Sequence, residues 1–268
     1  MSEARTALVT GAGRGLGAHL AATLARERWH TVICGRSRET LDARVADAAR
    51  DGLKLHAIVA NVTDEEAVDA LVRDIEASAP PIGLCVNNAG GNYSHKLVAT
   101  RTDADGELSL RPHPIAEWNR TLQVCLTGTF LVGRRVAQSM LEHRTEGVIV
   151  NISSAVSRGA YAQSAYSAAK AAVEALTRTW AIELGEFGIR VVAVSPGVID
   201  GDALRRRVAA NPRHAAYMSS LQAQVPLQRW CTEADVAAAV MCVVQNRAMT
   251  GTIVEVDGGG FPSRVFTH

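Results

Sequence analysis

Thr6-Ala7-Leu8-Val9-Thr10 runs without a break into Gly11-Ala12-Gly13-Arg14-Gly15-Leu16-Gly17. The first five residues read as a short buried strand, and a helical pattern, His19 to Arg28, follows the glycines at once. Glycines permit a tight turn, and they let backbone N–H groups and a helix N-terminus approach a pyrophosphate. A glycine pattern alone says little. Its place at the first strand of an alternating strand–helix chain predicts a phosphate-binding turn.

The alternation continues outward from that stretch. Apolar strand-like runs fall at 5–10, 31–34, 54–60, 83–86, 147–153, 189–195 and 252–256. Helical patterns lie between them at 15–28, 38–50, 64–78, 115–143, 161–186 and 233–245. Parallel strands need crossovers, so this order predicts an α/β, doubly wound Rossmann fold, a seven-stranded parallel sheet with helices on both faces, in a single domain over 1–268. Ligands of such sheets lie beyond the carboxyl ends of the strands. The glycine turn, Ser154 and Pro196-Gly197 all fall at such ends and can share one cleft.

Composition narrows the class. The chain of 268 residues can bury a large core, and 47% apolar against 21% charged residues fits a globular enzyme. Net charge is +1, which gives no broad electrostatic footprint for nucleic acid or acidic membranes. Arg205-Arg206-Arg207 reads as a solvated helix face. Cys34, Cys85, Cys125, Cys231 and Cys242 are odd in number and widely spaced, which suggests reduced, buried thiols in a cytoplasmic protein, with no metal pair and no disulfide framework. No apolar run reaches membrane-spanning length, Met1 to Arg5 lacks signal-peptide character, and Val265-Phe266-Thr267-His268 is no peroxisomal signal.

Tyr166 and Lys170 stand four residues apart, on one face of a helix. An ammonium beside a phenol favours the phenolate and lowers the phenol pKa from about 10, each unit being about 1.36 kcal/mol. Such a tyrosine could give and take a proton near neutral pH. The bland alternative for the pair is a solvated helix face.

These motifs, taken in order, resemble those of the short-chain dehydrogenase/reductase family across essentially the whole chain. Thr10 to Gly17 resembles its TGxxxGxG turn, Asn87-Asn88-Ala89-Gly90 its NNAG, and Tyr166-Ser167-Ala168-Ala169-Lys170 its YxxxK, while Pro196-Gly197 and Val256-Asp257-Gly258-Gly259 match later turns. The resemblance implies that Tyr166 exchanges a proton with a substrate oxygen, that Lys170 lowers its pKa and holds the nicotinamide ribose, and that a serine bonds the oxygen where charge develops. Ser154 holds the family's place at the strand end, although Ser153 fits the usual spacing to Tyr166. Ser154 is preferred, because burial fixes strand register while a one-residue deletion in the 158–163 loop is easily absorbed. The implied cofactor contacts are Gly11, Arg14, Gly15, Leu16, Gly17, Arg36, Asn61, Val62, Asn88, Ala89, Gly90, Tyr166, Lys170, Pro196, Gly197 and Ile199. No metal is implied.

Cofactor choice is legible after the second strand, where Cys34-Gly35-Arg36-Ser37-Arg38 carries no acid. An acid at Gly35 would bind ribose hydroxyls and repel a 2′-phosphate, whereas Arg36 and Arg14 can face that phosphate, so NADP(H) is favoured over NAD(H). Otherwise both arginines are solvated loop charges. Asn61-Val62 resembles the pair that borders the adenine, with Asn where Asp is commoner.

Three departures from the family pattern bear on mechanism. Cys125 stands where an asparagine usually holds a water for proton relay, and a thiol cannot do that as an amide does. Gly201 replaces a common threonine at the start of the substrate lid over 200–228, whose Tyr217, Met218, Leu221 and Val225 make an apolar face. The 91–118 segment exceeds the usual loop by about a dozen residues and reads as a hairpin at the cleft rim, shaping the substrate site or a subunit contact. The leading expectation is NADP(H)-dependent interconversion of a small carbonyl substrate and its alcohol. A 3-oxoacyl-carrier-protein ketoreductase comes second, with Phe187 where a basic carrier-docking residue is common. A catalytically weak NADP(H)-binding sensor or scaffold comes third. The resemblance also implies a homodimer or homotetramer.

Overall fold

Alternation of side chains along the strands divides the core into two layers. In β1, Thr6–Thr10, the side chains of Ala7 and Val9 join one buried cluster and Leu8 the other, as the two-residue period of a strand requires. The computed structural model describes residues 5–103 and 105–260. The expectations for residues 1–4, Ala104 and 265–268 lie outside these.

After β1 come α1 (Gly15–Arg26), β2 (His30–Gly35), α2 (Arg38–Arg50), β3 (Leu55–Val59), α3 (Glu65–Ser78) and β4 (Ile82–Asn87). A hairpin of β5 (Val98–Thr102) and β6 (Leu108–Pro112) leads to α4 (Ile115–Leu122) and α5 (Gly128–Glu142). The chain ends with β7 (Val148–Ile152), α6 (Ser164–Leu184), β8 (Arg190–Pro196), α7 (Asp202–Ala210), α8 (Pro212–Gln222), α9 (Glu233–Gln245) and β9 (Ile253–Val256).

The seven-stranded sheet has the order β3-β2-β1-β4-β7-β8-β9, with every pairing parallel. One face is covered by α1, α2 and α9 through residues such as Leu20, Leu24, Leu41 and Val240, the other by α3, α5 and α6 through Leu71, Ile75, Val136 and Trp180. Each such side chain contributes about 1.5–3 kcal/mol when fully removed from water. The strand order reverses between β1 and β4, which opens a crevice at their carboxyl ends.

The structure refines these expectations in detail. The helix expected over 115–143 is α4 and α5 joined by a π-helical turn, Gln123–Thr127, that holds Cys125 fully buried. The 91–118 segment does contain a hairpin, but its strands are almost wholly exposed. The 200–228 segment folds as α7 and α8 over a small core of Leu204, Met218 and Leu221, to which Tyr217 and Trp230 add partial cover. Four cysteines are buried, whereas Cys242 is exposed on α9. Among the described residues no helix is long and apolar enough to cross a membrane.

At the opposite end of the sheet His30 stacks on His56 across β2 and β3, ring centroids 4.1 Å apart. Burial and then Lys54 lower the His30 pKa, while burial, His30 and Lys54 lower that of His56. A depressed histidine pKa means that the unfolded chain binds more protons, so this contribution is present above the unfolded value of about 6.5 and lost as pH falls below it. The urea midpoint is therefore expected to drop from pH 7 to pH 5, and less steeply in His56→Gln. An unchanged slope in that variant would refute the assignment.

Candidate active site

The crevice is built by locking two turns together. Thr10, at the end of β1, accepts the backbone N–H groups of Asn88 and Ala89 on its Oγ1, each at 3.0 Å. Asn88 returns its Nδ2 to the carbonyl oxygens of Thr10 (3.0 Å) and Gly11 (3.3 Å). The fit leaves no room for side chains. A Cβ on Gly17 would lie 2.4 Å from Asn88 Nδ2, and one on Gly11, whose φ is +65°, would lie 2.7 Å from Ala89 Cα.

Gly15, with φ +56°, faces open space, where the nearest atom to an added Cβ is Glu233 Oε1 at 3.7 Å. No side chain caps the N-terminus of α1, so its first N–H groups remain available to an anion. This open cradle fits a dinucleotide pyrophosphate. Glu233, at the start of α9, is a site residue that no sequence pattern indicates; its carboxylate also approaches Gly201, 2.9 Å from where a Cβ would stand. The space left by Gly201 is thus partly filled.

One cavity of about 880 Å³ extends from this cradle. Of the expected residues, Gly11, Arg14, Gly15, Arg36, Asn61, Val62, Asn88, Ala89, Gly90, Ser154, Tyr166, Gly197 and Ile199 line it. Leu16, Gly17, Pro196 and Lys170 do not. Leu16 packs on the core, Gly17 is consumed by its contact with Asn88, and Pro196 is buried at the end of β8. The lining also includes Asn92, Tyr93, Tyr161 and Gln163, placed there by long-range folding.

At the β2 end of the cavity, Gly35, Arg36, Ser37 and Thr40 follow the strand and share the lining with Asn61 and Val62. Arg14 and Arg36 are exposed. Their guanidinium groups, and the lack of an acid at Gly35, give this end a positive character suited to phosphate.

At the other end the two serines part company. Ser154 lines the cavity, its Oγ accepting from Val156 N at 3.5 Å. Ser153 is buried on the far side and donates its hydroxyl to Glu174 at 2.8 Å. Consecutive strand residues point oppositely, and burial chooses between them.

Tyr166 and Lys170 share a face of α6, with the Lys170 Nζ 5.5 Å from the Tyr166 ring centroid. The expected electrostatics are not realised. Burial, and then Cys125, raise the Tyr166 pKa, and burial lowers that of Lys170. The lysine is 3% exposed and donates to the Ile152 carbonyl at 2.6 Å. In the protein without cofactor, the phenolate absorbance of wild type and Tyr166→Phe is expected to be the same around neutral pH, because Tyr166 keeps its proton. A wild-type step near neutrality, absent from the variant, would restore the lysine-lowered tyrosine.

The segment after Gly90 is tied to this helix. Gln163, the N-cap residue of α6, provides no side-chain cap; instead Ser94 Oγ accepts the Tyr166 backbone N–H at 2.8 Å, and Asn92 Nδ2 donates to Gln163 Oε1 at 2.6 Å. Cys125 donates its thiol to the Gly91 carbonyl (3.3 Å) and accepts the Gly91 N–H (3.4 Å). The thiol holds the strand-to-loop turn closed.

A reversing parallel sheet with a phosphate cradle at its switch point and a tyrosine–lysine helix across the cleft defines a Rossmann-type oxidoreductase. The short chain dehydrogenase family matches residues 5–212, and the chain belongs to that family. It is 31% identical over 263 residues to the 3-oxoacyl-(acyl-carrier-protein) reductase FabG of Staphylococcus aureus, covering 97% of this chain and 99% of the relative. It is 33% identical to the short-chain reductase protein NovJ of Streptomyces niveus, covering 97% and 95%. Among solved structures, a variant of actinorhodin polyketide ketoreductase with NADPH has a TM-score of 0.83 at 28% identity, covering 97% of this chain and 98% of that one.

Proposed function

We propose that this oxidoreductase uses NADP(H) to interconvert a carbonyl group and its secondary alcohol, with Tyr166 as acid and base. The observation that carries the reading is that Ser154 and Tyr166 line the cavity that begins at the Gly15 cradle, with Lys170 directly behind the tyrosine ring. Gly11, Gly15 and the α1 N-terminus would hold the pyrophosphate, and Arg14 and Arg36 the 2′-phosphate. When bound, the nicotinamide supplies or accepts the hydride.

The protein's own residues do the rest. Ser154 donates a hydrogen bond to the substrate oxygen, where negative charge develops during reduction. Tyr166, its pKa raised by burial, carries a proton at neutral pH and delivers it to that oxygen. Lys170 orients from behind: its bond to Ile152 ties α6 to the end of β7, next to Ser154. Cys125 fixes the Gly91 backbone in this wall and does not replace the water-holding amide of the usual asparagine.

A second reading, reduction of a 3-oxoacyl group on a carrier protein, is favoured by the FabG relatives. Phe187, 49% exposed, stands against it where a carrier would meet a basic residue. Exposed Phe130 on α5 and Ile182 on α6 support self-association into a dimer or tetramer. The test is single-turnover oxidation of bound NADPH, followed by absorbance, against ketones, quinones and 3-oxoacyl thioesters, with Tyr166→Phe alongside. Tight NADPH binding without turnover on any of them would favour the sensor.

A further inference from the structure

All four tyrosines of the chain, Tyr93, Tyr161, Tyr166 and Tyr217, line this same cavity, although aromatic residues make up only 4% of the sequence. Three of them have no part in the proton transfer proposed above. They come from separate segments: Tyr93 follows the Asn88-Ala89-Gly90 turn, Tyr161 precedes α6, and Tyr217 stands on α8 of the lid. Met218 and Leu221 add apolar surface from the same helix.

Two of the three rings carry a cation on one face. The Arg120 guanidinium lies 4.0 Å from the Tyr93 ring centroid and the Lys96 ammonium 4.9 Å from that of Tyr161. Both cations belong to the long 91–118 segment or to the helix it feeds. Tyr217 is half-buried opposite the loop of Tyr161; burial, then Tyr161, raise its pKa. Tyrosine presents a rigid flat face with only two rotatable side-chain bonds and carries a hydroxyl at its tip.

We propose that the substrate is a flat aromatic or fused-ring ketone, clasped among Tyr93, Tyr161 and Tyr217 with its carbonyl at Ser154 and Tyr166, rather than a flexible acyl chain; this rests on the carbonyl-reductase reading. Aromatic faces stack offset or edge-on against such a ligand, and the tyrosine hydroxyls serve its ring oxygens. An acyl chain gains less from ring faces and loses more rotational freedom on binding. In reduction the C=O π bond breaks, hydride from NADPH forms the C–H bond, the Tyr166 proton forms the O–H bond, and NADP+ is released.

The experiment compares kcat/KM for 1-tetralone and for the N-acetylcysteamine thioester of acetoacetate with NADPH. It is run in wild type and in Leu and Phe variants at positions 161 and 217, with thermal midpoints as a check on folding. Wild type is expected to prefer the tetralone; each Leu variant lowers the tetralone-to-thioester ratio by about three- to tenfold, and Phe, which keeps the ring, largely preserves it. Thioester turnover that needs Tyr166, with tetralone no better and the ratio unmoved, would overturn this substrate class while leaving the reductase standing. If neither compound is reduced, binding of 1-naphthol to the NADP+-loaded protein, read by its own fluorescence, decides. Binding that Tyr217→Leu weakens and Tyr217→Phe retains supports the aromatic slot, and no binding by wild type overturns it.

Discussion

Tyr166→Phe is expected to lower the single-turnover rate of NADPH oxidation by about 10²- to 10⁴-fold, the range that positioned proton transfer contributes. The ring remains, so the packing around α6 and the contact with the Lys170 ammonium survive. NADPH affinity should change little, because the lost hydroxyl acts on the substrate oxygen. Ser154→Ala is then expected to cost less than Tyr166→Phe, since it removes a hydrogen bond and not the proton source. A Tyr166→Phe enzyme that turns over within a few-fold of wild type would remove Tyr166 from the mechanism.

Gly35→Asp is expected to reverse the cofactor preference. An added Cβ would lie 3.5 Å from Leu41 Cδ2, an ordinary contact, so the strand end can take the side chain. The new carboxylate would sit beside Arg36, where it binds ribose hydroxyls and repels a 2′-phosphate. Like-charge opposition of this kind is worth about 1–3 kcal/mol, a loss of about 5- to 150-fold in kcat/KM for NADPH, with NADH becoming the better cofactor. The ratio of the two kcat/KM values in wild type and variant reads the result directly. A wild type that already prefers NADH, or a variant whose ratio stays put, would show that neither Arg14 nor Arg36 meets a phosphate.

Much of this molecule is legible one segment at a time. Near-continuous apolar runs in Thr6–Thr10 and Val148–Ile152 dictate strands buried on both faces, and their spacing by helices dictates parallel order. The glycines from Gly11 to Gly17 announce a turn no other residue could make, because their demands are set by φ and by contacts below 3 Å. The four-residue interval between Tyr166 and Lys170 puts both on one helix face wherever that helix packs.

What the sequence by itself determined, then, is the sheet, the glycine turn and the helix face shared by Tyr166 and Lys170, each a consequence of local periodicity or backbone sterics. Tertiary structure alone decided the rest. The direction of the Tyr166 shift depends on desolvation and then on Cys125, both brought to the phenol only by folding. The buried Ser153 hydroxyl finds its partner, Glu174, on another element. Ser94 capping α6, Cys125 gripping Gly91, Glu233 reaching Gly15 and three tyrosines meeting around one cavity all join residues far apart in the chain. No local pattern encodes such meetings, because they are selected by packing of the whole sheet and its helices.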